Sequence, residues 1–273
     1  MSAALWLPPL IKAVSTALLV VLAATLAEAL GPFWGSLIVS LPVSAGPAYV
    51  FLAMRHDADF VAASALGSAA ANAATGLFLI VYAALAGKAP LWRSLGTAVM
   101  TWFAAALAIR QVDWTPATAM LLNLIVYGIG FILPGPAANA AEGRVIATRR
   151  LRFDLPLRAI AVALFVSAVV LASSQLGPEA TGIAAVFPIS LISLLVILQP
   201  RIGGPASARL AATALQAMLG FGVMLVALHL AIRPWGTVTA FVAALFVSVS
   251  WSGGLFILRH RLQSRTRRHV QSV

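Results

Sequence analysis

Apolar residues in this chain come in long runs, separated by short stretches in which charge, proline and glycine collect. Each run is about as long as the roughly 20 residues an α-helix needs to cross the hydrocarbon core of a bilayer. Nine runs can be placed, at residues 10–30, 33–54, 58–86, 90–109, 116–134, 157–176, 179–199, 204–232 and 235–258. The third and eighth are long enough to require tilt. The pattern predicts an all-α polytopic membrane protein of about nine transmembrane helices, with no soluble domain of any size.

Composition supports the bilayer as the solvent. Of 273 residues, 62% are hydrophobic and 9% charged, with a mean hydropathy of +1.00. A soluble domain is about 45–50% apolar, so such a chain would aggregate in water. The net charge of +11 would suggest nucleic acid in a soluble protein, but here the cations lie between apolar spans and no nucleic-acid partner is expected. The absence of cysteine excludes disulfides, thiolate catalysis and cysteine metal sites. Residues Met1 to Pro9 lack the basic n-region of a cleavable signal.

Orientation follows from the cations. Nine crossings put Lys12, Arg55, Arg110 and Arg233 on one side and the other fourteen Lys and Arg on the opposite side. The positive-inside rule makes the second side cytoplasmic. The N-terminus is then outside and the C-terminus inside, as in a multi-pass protein of a bacterial inner membrane. If the second and seventh segments were re-entrant hairpins, the same cations would divide nine against nine. The asymmetry favours full crossings.

A weak self-similarity recurs at an offset of 146 residues. Gly31-Pro32 returns as Gly177-Pro178, and Leu41-Pro42-Val43-Ser44 as Phe187-Pro188-Ile189-Ser190; Arg55 matches Arg201 and Gly76 matches Gly222. Five crossings separate the copies, so the halves must be inverted in the membrane. The expected organisation is a first repeat at 1–134, a basic cytoplasmic loop at 135–156, a second repeat at 157–258 and a basic, unstructured tail at 259–273. The second half is then one helix short. Inverted repeats with a Pro/Gly-interrupted helix in each half point to the central site of a secondary transporter. Pro42, followed by Gly46-Pro47, is expected to break the second span outright; Pro188 is expected to break or kink the seventh.

Polar groups inside the spans are few and expensive, and so are functional candidates. Glu28, three residues before Gly31, is a candidate carrier of a coupling proton; its alternative is a helix-end residue reaching the interface. Ser44 and Ser190 lie beside the matched prolines, where they line a site or repair backbone groups the break sets free. Asn72, Asn123 and Gln216 either join helices or contact substrate. His229 and Lys12 are expected near the interface. Trp34, Trp92, Trp114 and Trp235 stand at span ends as an aromatic belt.

There is no GxxxxGK[ST], no HExxH and no cluster suited to a metal, cofactor or hydrolytic triad; neither enzyme activity nor a bound cofactor is expected. The expected function is a small secondary transporter working by alternating access, coupled to protons through Glu28, with Pro42, Ser44, Asn72, Pro188 and Ser190 at the substrate or ion site. Its partners would be the bilayer, a small-molecule or ion substrate, and anionic lipid at the basic loop and tail; homo-oligomer formation is left open. The competing classes are a non-transporting membrane subunit or assembly factor, and a lipid flippase or other lipid-handling protein.

Overall fold

The computed structural model describes residues 45–132 and 154–271. Glu28, Pro42 and Ser44, and with them the first span and the break expected in the second, lie outside the described residues. Among those described, the chain is entirely helical: α1 Ala45–Ala53, α2 Ala58–Ala86, α3 Leu91–Ile109, α4 Pro116–Ile132, α5 Asp154–Leu176, α6 Pro178–Ala185, α7 Ile189–Ile202 and α8 Gly204–Gln271. Among the described residues, four stretches are long and apolar enough to cross a membrane: Ala58–Ala86, Leu157–Leu176, Pro178–Ile202 and Gly204–Leu255. This is the build of a multi-pass membrane protein. Much of the outer surface is apolar as well, including Met100, Leu107, Leu121, Leu124, Val238 and Phe246.

Local signals set the helix ends. The Asp57 carboxylate accepts from the Phe60 N–H at 2.9 Å, capping α2. Gly177 and Gly236 adopt φ of 76° with ψ of 171° and 168°, a region essentially confined to glycine, where another residue costs about 1–3 kcal/mol. The first lets Pro178 open α6; the second, two residues after Pro234, divides α8 into two arms. The arms fold back on each other, with the Trp251 indole N–H donating to the Gln216 carbonyl at 2.9 Å. The second arm continues as helix to Gln271, correcting the expectation of an unstructured tail. No proline or glycine follows Gly254, and Arg, Leu and Gln there are good helix formers.

The hub is α2, which touches α1, α3, α4, α6 and α8. Lipid gives two apolar helices no hydrophobic reason to associate, so contact has to come from close backbone approach and interhelical hydrogen bonds. Small residues provide the approach. A Cβ on Gly182 of α6 would lie 2.0 Å from the Ser64 carbonyl oxygen, and one on Gly204 of α8 1.8 Å from that of Ala86.

Two neighbours of α2 define the architecture. The first arm of α8 runs antiparallel to it: Arg233 pairs with Asp59 at 2.6 Å, His229 Nδ1–H donates to the Ala62 carbonyl at 2.8 Å, Asn72 bonds Met218 at 2.9 Å, and Gly87 lies against Pro205. The α6–α7 segment runs parallel to it, with Ser64, Ser68, Thr75 and Tyr82 bonding Pro178, Gly182, Val186 and Gln199 in turn. Because the partners advance together along about 27 Å of α2, the seventh segment does not turn back as a re-entrant hairpin would.

Candidate functional site

The seventh segment breaks between Ala185 and Ile189. Pro188 is the cause: it lacks an N–H and drives Phe187 out of helical geometry. Freed polar groups have to be met by protein, since lipid supplies no partner. The Phe187 and Ile189 amides bond back to the carbonyls of Ala184 and Phe187, at 3.0 and 2.7 Å. The Val186 carbonyl takes the Thr75 hydroxyl of α2 at 3.2 Å. Thr75 in turn accepts from the indole N–H of Trp102 at 3.2 Å, so α2, α3 and the break form one polar chain in an apolar interior.

Aromatic rings enclose this chain. The Phe187 ring meets Trp102 edge-on at 4.9 Å between centroids, and both Phe103 of α3 and Phe165 of α5 at 5.5 Å. One turn on, the buried hydroxyl of Ser190 has no hydrogen-bond partner among the described residues. An unpaired buried donor costs about 1–3 kcal/mol, and an arriving polar group would relieve that cost. The break thus combines backbone that has left the helical pattern, an unspent hydroxyl and an aromatic wall, features that small-molecule sites use.

A second polar centre lies on another face of α2. The Asn72 amide group donates to Asn123 Oδ1 at 2.8 Å and to the Met218 carbonyl at 2.9 Å. Asn123 donates to the carbonyls of Ala69 and Ala119, both at 2.7 Å, and the Tyr127 hydroxyl donates to the Asn72 carbonyl at 2.9 Å. Gly222 makes room, since a Cβ there would sit 3.0 Å from Asn72 Nδ2. All these groups are spent joining α2, α4 and α8, except Asn72 Oδ1, which is buried without a partner.

Of the residues proposed from sequence, Pro188 and Ser190 therefore stand at the break. Asn72 stands one turn from Thr75 but bonds to α4 and α8 instead. Thr75, Trp102 and Phe187 were not among the proposed residues. The signal for Thr75 was present: Ser64, Ser68, Thr75 and Tyr82 are spaced by four, seven and seven residues, a hydroxyl stripe on one face of a helix. Trp92 and Trp235 are exposed, Trp114 is half-buried with its indole on the Ile109 carbonyl, Trp34 lies outside the described residues, and His229 is spent on a backbone carbonyl. Among the described residues no group of His, Asp and Glu could hold a metal ion. No protein-family profile matches the chain, and neither a curated protein nor a solved structure matches it significantly.

Proposed function

We propose that this protein is a small secondary transporter working by alternating access, built from two inverted repeats in nine crossings of a bacterial inner membrane, with the N-terminus outside. The observation that carries the reading is the bond between Asn72 and Met218, which stand 146 positions apart. That is the offset of the sequence repeat, so each residue is bonded to its own counterpart. Two halves related by a two-fold axis in the membrane plane would bring counterparts together where equivalent helices cross. The flanking contacts, Asp59 with Arg233 and Gly87 with Pro205, keep the antiparallel register that this bond sets. Helix starts agree too, Ala58 with Gly204 and Leu91 with the residue after Gly236.

The fifth span then accounts for the helix that the second half lacks. Through Asn123 and Gly130, α4 touches both partners of the crossing: Ala69, Asn72 and Ile80 on α2, and Leu215 and Gly222 on α8. A helix lying over the axis has no counterpart. The chain becomes two four-span halves, 10–109 and 157–258, joined by one central helix.

Substrate would bind beside the break at Val186–Pro188, with Thr75, Trp102 and Ser190 as its polar and aromatic contacts and Glu28 as the proton carrier. Single cysteines at Asp57, Ala147 and Ser264, labelled from outside in intact cells with an impermeant maleimide, test the topology: only position 57 should react. Glu28→Gln should abolish proton-coupled uptake in a folded protein. Uptake with unchanged pH dependence would end the coupling role, and equal labelling at 57 and 264 would end the inverted repeat.

A further inference from the structure

A cavity of about 60 Å³ opens between the N-terminal third of α2, the end of α3 and the start of α6. Its walls include Leu66, Ile183 and Trp114, and two opposite charges, Arg110 and Glu179. The fold fixes the backbone that carries each charge. Arg110 closes α3, its amide bonded to the Ala106 carbonyl at 3.0 Å, and the turn after it is pinned by the Trp114 indole donating to the Ile109 carbonyl at 2.8 Å. Glu179 lies in the first turn of α6, where its backbone presses on α2 at Gly67: a Cβ on Gly67 would lie 2.8 Å from the Glu179 carbonyl oxygen.

Arg110 and Glu179 line one cavity, yet they form no ion pair with each other or with any other described residue. Asp59 and Arg233, at the same end of α2, do close on each other at 2.6 Å. Two opposite, unpaired charges over apolar walls fit a ligand that itself carries both charges. We infer that this cavity binds a small zwitterion, its anionic group on the Arg110 guanidinium and its ammonium on the Glu179 carboxylate. The guanidinium fork suits a carboxylate or phosphate, and the apolar walls leave space for only a short side chain. The ligand is either a free amino-acid-like solute or the phosphoethanolamine headgroup of a lipid. The cavity shares no lining residue with the break at Val186–Pro188, so it is a second site, and only transport of its ligand rests on the transport reading.

The test uses the full chain in nanodiscs of phosphatidylglycerol, which present no zwitterionic lipid, with calorimetric titration of glycine, L-alanine and phosphoethanolamine. At least one should bind saturably, and acetate and methylamine, each with half the charge pattern, should bind about tenfold more weakly or worse. Arg110→Gln and Glu179→Gln, both at exposed positions, should each cost about tenfold or more while leaving the size-exclusion profile unchanged. The exchange variant Arg110→Glu/Glu179→Arg keeps one charge of each sign at the cavity and should recover the binding that both single variants lose. Preference for glycine or alanine identifies the free solute; preference for phosphoethanolamine identifies the headgroup. Absence of saturable binding, or binding indifferent to both single variants, overturns the site. Uptake assays in proteoliposomes separate the two claims: zwitterion binding without its uptake leaves the site and ends the ligand's role as substrate, and uptake of another solute without zwitterion binding leaves the transport reading and ends the site.

Discussion

The contact most exposed to a single methyl group is that between α2 and α6. Gly182→Ala would put a Cβ 2.0 Å from the Ser64 carbonyl oxygen, 2.8 Å from its carbon and 2.9 Å from its Cα. All three atoms are backbone, so no side chain can rotate away, and the helices must part by at least about 1 Å to reach even a 3.0 Å contact. Such a gap forfeits a quarter to a half of the dispersion well for each facing atom pair, and overpacking of this kind costs about 1–3 kcal/mol. It also stretches the bonds from Ser64 and Ser68 to the carbonyls of Pro178 and Gly182, now 2.9 and 2.6 Å, each worth about 0.6 kcal/mol in a membrane protein. A loss of about 2–4 kcal/mol follows from these terms. Reversible unfolding in mixed micelles would measure it, with Gly96→Ala, where nothing lies within 4 Å, as the control. If Gly182→Ala is as stable as the unmodified chain, the close approach of α6 to α2 is wrong, and the parallel run of α6–α7 along α2 falls with it.

Thr75→Val keeps the side-chain volume but strands the Trp102 indole and the Val186 carbonyl, at a cost of about 1–3 kcal/mol; uptake should fall at least tenfold with assembly retained, and unchanged uptake would remove Thr75 from the site. Asn123→Leu removes the side-chain bonds that α4 makes to Asn72 and Ala69, about 1–2 kcal/mol. Its effect should appear as lower thermal stability on size exclusion; full stability would contradict α4 as the helix that bridges the crossing.

Much of the fold was legible because its signals are local. Run length and apolar content called for membrane helices, and the helix limits found at Ala58–Ala86 and Leu91–Ile109 and the helix start at Pro116 lie within one residue of those read from hydropathy. Pro188 signalled a disrupted seventh helix through its missing N–H, and the structure resolves the choice between kink and break in favour of a break. Ser190 and Asn72 were visible as polar residues in apolar surroundings. The helical tail to Gln271 was not anticipated, since charge density there was read as disorder while helix propensity pointed the other way.

What the sequence could not determine is which face of each helix meets which neighbour. In α2, small apolar residues lie on every side, and 19 of its 29 residues are buried. A helix apolar all round carries no amphipathic stripe to orient it. Only packing decided that the hydroxyl stripe ending in Thr75 and Tyr82 faces α6 and α7, that Asn72 faces Met218, and that Arg110 and Glu179, 69 positions apart in the chain, share one cavity. Length and local propensity are properties of a segment and can be read along it. Pairings of this kind depend on where small residues allow two backbones to approach, which is a property of both surfaces at once.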